Sequence, residues 1–182
     1  WLRQCGLEAA IHKAADAGTL VFGVCGGYQM LGRTVSDPEQ VEAAGTTEIL
    51  GMGLLEMDTI FLGEKVQAQT TGVFAGISGV LSDLNGMSYS GYEIHMGRSE
   101  EEMPALAGTG NVYGSYVHGV FDASGISDTI LKALCVRKGI DFDALETFDI
   151  SEYKEHQYDL LADAVRSGLD MEFIYRALNR EL

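Results

Sequence analysis

The stretch that most limits how this chain can fold is an abrupt junction between a strand and a helix. Residues 21 to 32 read V-F-G-V-C-G-G-Y-Q-M-L-G, so a short apolar strand runs directly into a cysteine and two glycines. The residues that follow predict a helix over 26–33. Such a junction forces the residue at the break into a strained backbone conformation and favours small neighbours. Residues 23 to 27, G-V-C-G-G, have the G-x-S-x-G form of a hydrolase nucleophile turn, with sulfur in place of oxygen.

Two interpretations of Cys25 are open on this pattern alone. As a nucleophile, the thiol would lie at a helix N-terminus, where the helix dipole stabilises a thiolate and the following amides can hold an oxyanion. As a structural residue, Cys25 would be a small buried hydrophobe, and the glycines would serve only the turn.

The rest of the chain alternates helical and strand patterns, which is typical of an α/β domain. Residues 51–71 carry alternating apolar positions and predict strands with one exposed face. Residues 36–45 predict a surface loop or short helix. The other predicted helices cover 7–17, 126–139, 153–165 and 173–178, and the other predicted strands cover 20–24, 92–96 and 112–117.

Charge and cysteine usage exclude several classes of function. The chain of 182 residues has a net charge of −15, which disfavours binding to nucleic acid or to an anionic membrane. The three cysteines form no C-x-x-C pair, so we expect reduced thiols and a cytoplasmic protein. The first residue is tryptophan, and the sequence lacks a signal peptide, so we expect an N-terminally truncated fragment.

A thiol nucleophile needs a base, and the chain offers four histidines. His12 and His156 lie in polar, exposed-looking helices. His95 lies in G-Y-E-I-H-M-G-R and His118 in G-S-Y-V-H-G-V-F-D, both at predicted strand ends beside glycines. The pattern alone does not choose between these two, and each has a buried structural role as its alternative.

Three motifs, V-C-G-G-Y-Q-M-L-G, G-Y-E-I-H-M-G-R and G-S-Y-V-H-G-V-F-D, closely resemble in order and spacing the C-terminal glutamine amidotransferase domain of cobyric acid synthase. The resemblance covers almost the whole chain and implies an α/β, flavodoxin-like three-layer sandwich of the class I (triad-type) amidotransferases, with a mostly parallel central sheet. It implies that residues 1–182 are one amidotransferase domain, without the oxyanion-hole loop and first strands. The synthetase domain would lie further upstream, and this chain has no phosphate-binding G-x-x-x-x-G-K-[ST] loop.

The resemblance also assigns roles residue by residue. Cys25 matches the nucleophile and His118 the catalytic base, while the Gly26 amide would help to form the oxyanion hole. The remaining expected substrate-binding residues are Gly27, Tyr28, Gln29, Glu93 and His95. No metal site is expected in this domain.

The sequence departs from many triad-type amidotransferases at position 120. Those enzymes carry an acid two residues after the histidine, whereas this chain has Val120 there. Glu93, Asp122 and a backbone carbonyl group remain candidates for orienting the imidazole of His118.

The function implied is hydrolysis of glutamine through a cysteine thioester, which supplies ammonia for amidation of adenosylcobyrinic acid a,c-diamide in cobalamin biosynthesis. Glutamine, the chain's own N-terminal synthetase domain and, through that domain, a corrinoid would be the partners. ATP and Mg²⁺ would act in the synthetase domain, and no cofactor is expected here. The alternatives are an amidotransferase subunit for a cell-wall precursor, another cysteine hydrolase on the same fold, or a non-catalytic binding module.

Overall fold

The computed structural model describes residues 1–42, 44–45, 47–99, 104–123, 125–145 and 150–180. The helices are α1 (Leu7–Asp16), α2 (Gly26–Leu31), α3 (Ile126–Lys138), α4 (Ile150–Gly168) and α5 (Met171–Leu178). The strands are β1 (Val21–Val24), β2 (Thr34–Ser36), β3 (Glu48–Leu50), β4 (Asp58–Val73), β5 (Ser88–Arg98), β6 (Ala107–Thr109) and β7 (Val112–Ser115). Two 3₁₀ segments cover Gly79–Leu84 and Phe142–Ala144.

The strand that leads into Cys25 belongs to a sheet with the order β1-β7-β6. β1 and β7 are parallel, and their register runs from Val21 opposite Val112 to Val24 opposite Ser115. β6 pairs with β7 in the antiparallel direction. Because β1 and β7 are parallel and in register, the residues that follow them, Cys25 and Tyr116, emerge at the same edge of the sheet.

A second sheet has the order β3-β2-β4-β5. β2 is parallel to β4 and antiparallel to β3. β4 and β5 form a long antiparallel ribbon, and their register shifts between Phe61 and Val66. An isolated bridge between Tyr92 of β5 and His118 brings this ribbon to the chain that follows β7.

Two clusters of buried apolar side chains hold these elements together. One lies around the first 3₁₀ segment and α3, and contains Leu81, Leu84, Tyr113 and Ile126, each at most 1% exposed. The other lies around α2 and contains Tyr28, Leu31 and Tyr116. Burial of this kind contributes about 1.5–3 kcal/mol for each large side chain, and here it fixes α2 against the sheet that carries Cys25.

The chain divides into two compact units, residues 1–144 and 145–182. In the described part of the second unit, the side chain of Asp170 caps α5 by accepting a hydrogen bond from the Phe173 N–H at 2.9 Å. The expectation that residues 1–182 are one domain stays a prediction.

Most of the predicted elements are confirmed, including the strand before Cys25, the helix directly after it, and the helices near both ends. The short strands β2, β3 and β6 were not predicted, because three residues are too few to show an alternating pattern. Leu55, Met57 and Thr59 are buried as their alternation predicts, although the chain before Asp58 is irregular. Among the described helices, none has the length and apolar character needed to cross a bilayer.

Candidate active site

Cys25 lies at the break between β1 and α2 with a backbone φ of 53° and ψ of −114°. Only two other non-glycine residues in the described ranges have a positive φ. The Cys25 N–H donates to the Ser115 carbonyl oxygen at 2.8 Å, and the Cys25 carbonyl accepts from the Gln29 N–H at 3.1 Å. The sheet and the first helical turn therefore hold this residue in the strained conformation that the sequence predicts.

The glycines around Cys25 serve different purposes. A Cβ atom at Gly23 would lie 2.7 Å from backbone atoms of Gly27 and Tyr28, so the close approach of strand and helix requires glycine there. At Gly26 and Gly27 an added Cβ would meet nothing within 4 Å. The requirement for a small residue is thus steric at Gly23, whereas the space around Gly26 and Gly27 would admit a methyl group.

The thiol of Cys25 is half-buried and opens on a cavity of about 390 Å³. Its Sγ atom lies 3.6 Å from the Ile94 carbonyl oxygen of β5, which accepts a weak hydrogen bond from the thiol. A cavity of this volume is within the range that holds small organic ligands. The lining residues are Cys25, Gly26, Gln29, Glu42, Phe61, Lys65, Ile94, His95 and Met96.

His118 follows β7 and is fixed from the β5 side. Its N–H donates to the Tyr92 carbonyl at 2.8 Å, and its own carbonyl accepts from the Tyr92 N–H at 3.1 Å. The two rings stack with their centroids 5.1 Å apart. Within the described ranges, neither ring nitrogen of His118 has a hydrogen-bond partner. The cavity lining formed by the described residues does not include His118.

His95 is also placed at the cavity, but both of its ring nitrogens are engaged. Nδ1 lies 2.7 Å from the Gly97 carbonyl oxygen and Nε2 lies 3.2 Å from Glu93 Oε2. The ring stacks on Tyr116 at a centroid distance of 3.9 Å, and its side chain is only 1% exposed. Because Nδ1 must donate to a carbonyl, it cannot accept a proton in this arrangement. His95 is therefore a buried, hydrogen-bonded residue that forms part of the cavity lining.

Comparison with known proteins shows which family the chain belongs to. The family described as the CobB/CobQ-like glutamine amidotransferase domain matches residues 1–126. The chain belongs to this family. The resemblance found in the sequence motifs is thereby confirmed, as is the enzyme class, and the mixed α/β architecture is consistent with the flavodoxin-like fold of these amidotransferases.

The relatives of this amidotransferase domain are longer proteins. Cobyric acid synthase of Lachnoclostridium phytofermentans is 47% identical over 98% of this chain and 39% of that protein. Cobyric acid synthase of Ruminiclostridium cellulolyticum is 44% identical over 98% of this chain and 38% of that protein. The chain therefore spans less than half the length of these curated relatives. A solved glutamine amidotransferase aligns over 76% of this chain with a TM-score of 0.43 and 18% identity, which is too distant to add to the assignment.

Four of the six residues that the motifs assign to glutamine binding in this amidotransferase domain fall into two groups. Gly26, Gln29 and His95 line the cavity beside Cys25. Tyr28 is 1% exposed and packs edge-to-face on Tyr116, with ring centroids 5.0 Å apart, so it supports α2 from the core side.

The surroundings of Glu93, one candidate for orienting His118, and of position 120, where the acid of other triad-type amidotransferases is absent, are both clear. The Glu93 carboxylate pairs with His95. Position 120 is occupied by a valine that is 2% exposed and belongs to the larger core cluster, where a carboxylate would be costly to bury.

Sequence analysis of this amidotransferase domain missed two charged side chains in the cavity, Glu42 and Lys65. No motif contains them. Glu42 reaches the cavity on the loop that follows β2, and Lys65 reaches it at the register shift between β4 and β5. Their only sequence signal is weak: residues 62 to 65, L-G-E-K, interrupt an otherwise alternating strand with a glycine.

Proposed function

We propose that this chain is the glutaminase part of a cobyric acid synthase, with Cys25 as nucleophile and His118 as general acid and base. The observation that carries the proposal is that, in a chain of the amidotransferase family, a strained turn presents the Cys25 thiol to a cavity large enough for a small ligand. The reading of Cys25 as mere core filler does not fit a half-buried sulfur at a cavity. His118 lies three residues beyond Ser115, whose carbonyl oxygen accepts from the Cys25 N–H, and its ring nitrogens have no hydrogen-bond partner among the described residues. Both observations support the selection of His118 over His95.

The proposed chemistry begins with proton transfer from the Cys25 thiol to His118. The thiolate then attacks the side-chain amide carbon of glutamine, and the Gly26 N–H at the start of α2 stabilises the oxyanion. One such donor contributes about 3–4 kcal/mol in comparable enzymes. His118 returns its proton to the leaving ammonia.

The γ-glutamyl thioester that remains on Cys25 is then hydrolysed. His118 removes a proton from water, the hydroxide displaces the thiolate, and the proton restores the thiol as glutamate leaves. Gln29, His95 and Glu93 would shape the cavity around the substrate, while Gly27 and Tyr28 would hold the turn in place.

We propose further that the ammonia passes to an N-terminal synthetase domain of the same protein. There it would amidate carboxylates of adenosylcobyrinic acid a,c-diamide with ATP and Mg²⁺, and the corrinoid would bind that domain. The printed names and lengths of the relatives support this. A cytoplasmic location is proposed from the three cysteines, which are all free thiols.

The test uses the full-length protein with either glutamine or ammonium as the nitrogen source. Cys25→Ser should abolish glutamine-dependent amidation of the corrinoid and leave ammonium-dependent amidation intact. Cys5→Ser, which changes an exposed cysteine outside the cavity, is the matched control and should preserve both. Glutamine-dependent amidation that survives Cys25→Ser would refute the nucleophile. Amidation of a cell-wall precursor in place of the corrinoid would refute the pathway.

A further inference from the structure

The cavity beside Cys25 carries one basic and one acidic side chain, Lys65 and Glu42. We propose that Lys65 binds the α-carboxylate of glutamine and Glu42 binds its α-ammonium group while the side-chain amide reaches Cys25. This assignment rests on the proposed glutaminase activity and names the residues that select a free amino acid as its substrate.

Lys65 reaches the cavity because the β4–β5 ladder is irregular beside it. Phe61 pairs with Gly97 and Val66 pairs with His95, so five steps along β4 match two steps along β5. The three surplus residues on β4 loop out of the ladder, and the last position before pairing resumes is Lys65. Bulges next to active sites typically re-aim a side chain in this way.

Glu42 is held near the cavity by a buried carboxylate. Asp37 is 4% exposed, and its two carboxylate oxygens accept hydrogen bonds from the Val41 N–H at 2.7 Å and the Glu42 N–H at 2.9 Å. A carboxylate that accepts two backbone hydrogen bonds fixes the path of the loop. The backbone of Glu42 is thereby set at a position that lines the cavity.

The charges of the cavity match those of an amino acid with a neutral side chain. The chain as a whole has a net charge of −15, so an anionic α-carboxylate needs a local cation to enter. Lys65 has no ion-pair partner among the described residues and is free to supply that charge. Phe61, Ile94 and Met96 offer apolar contact for the two methylene groups between the α-carbon and the amide.

The test compares two electrophiles that alkylate the same sulfur. 6-Diazo-5-oxo-L-norleucine carries the α-carboxylate and α-ammonium of glutamine, whereas iodoacetamide carries neither. Labelling of Cys25 in the full-length protein is followed over time by peptide mass spectrometry, which separates it from labelling of Cys5 and Cys135. Lys65→Met should slow labelling by the diazo compound at least about tenfold, since a charge-assisted contact is lost, and leave labelling by iodoacetamide within about twofold.

Matched variants separate recognition from general damage. Glu42→Gln should also slow labelling of Cys25 by the diazo compound alone. Lys65→Arg keeps the positive charge and should retain most of the rate of labelling by the diazo compound. Lys138→Met removes one positive charge from an exposed position at the end of α3 and should change neither rate. Equal slowing of both reagents by Lys65→Met, or no slowing of either, would overturn the assignment of Lys65. Failure of both reagents to label Cys25 in the unaltered protein would instead refute the nucleophile itself.

Discussion

The imidazole of His118 lies almost parallel to the ring of Tyr92, with an interplanar angle of 7° and a centroid distance of 5.1 Å. The same two residues exchange both backbone hydrogen bonds, so β5 fixes the histidine through its backbone and through its ring. Position 120, where many triad-type amidotransferases carry an acid, is buried in the core as Val120. The aromatic stack therefore restricts the ring plane of His118 by packing.

Removing this stack should impair catalysis more than binding or stability. Tyr92 is 48% exposed, so Tyr92→Ala should leave the melting temperature nearly unchanged. The freed imidazole can rotate away from the reacting atoms, and kcat for glutamine hydrolysis should fall about tenfold or more while KM changes little. Tyr92→Phe keeps the stack and should retain most of the activity. An unchanged kcat in the alanine variant would show that the ring has no positioning role.

Gly23, two residues before Cys25, should be important for stability. In Gly23→Ala the new methyl group would lie 2.7 Å from backbone atoms of α2, so strand and helix must separate. We expect a loss of about 1–3 kcal/mol in the free energy of unfolding, measured by urea denaturation. Gly27→Ala is the matched control, because its methyl group meets nothing within 4 Å. That variant should be as stable as the unaltered protein, and equal losses in both would contradict the steric explanation.

The local part of the site could be predicted from the sequence, because adjacent residues determine it. The apolar run before Cys25 and the glycines around it specify a strand, a strained turn and a helix without reference to the rest of the chain. The choice between His95 and His118 could not be made in this way. Glu93 and Gly97 lie only two residues from His95 in the sequence, but whether their oxygens reach the ring nitrogens depends on the conformation and packing of β5 in the folded chain, including the stack of His95 on Tyr116.

The charged residues of the cavity could not be predicted from the sequence for a related reason. Lys65 is placed by the register between β4 and β5, and a surplus of three residues in one strand leaves no periodic signal. Glu42 is placed by hydrogen bonds to Asp37 within a loop whose sequence resembles any polar surface segment.

The ion pair between Arg33 and Asp58 should be visible in an acid titration. The Arg33 side chain donates to Asp58 at 2.7 Å and, together with the Thr34 hydroxyl, lowers the pKa of this carboxyl group below its ordinary value. A lowered folded-state pKa stabilises the fold above the unfolded-state pKa, and this contribution is lost as the pH falls through the folded-state pKa. Carboxyl NMR titration should show the lowered pKa of Asp58, and Arg33→Gln should raise it. A titration unaffected by Arg33→Gln would contradict this origin.

The two motif histidines should respond to substitution in opposite ways. His118→Ala removes a half-buried imidazole whose ring has no hydrogen-bond partner among the described residues, so stability should change little while glutamine hydrolysis falls about 10²–10⁴-fold. His95→Ala removes a buried ring that stacks on Tyr116 and donates a hydrogen bond to the Gly97 carbonyl oxygen, which should cost about 3 kcal/mol in unfolding free energy. Urea denaturation and glutaminase assays of both variants give the comparison. Loss of activity in His95→Ala without loss of stability would instead identify His95 as the base.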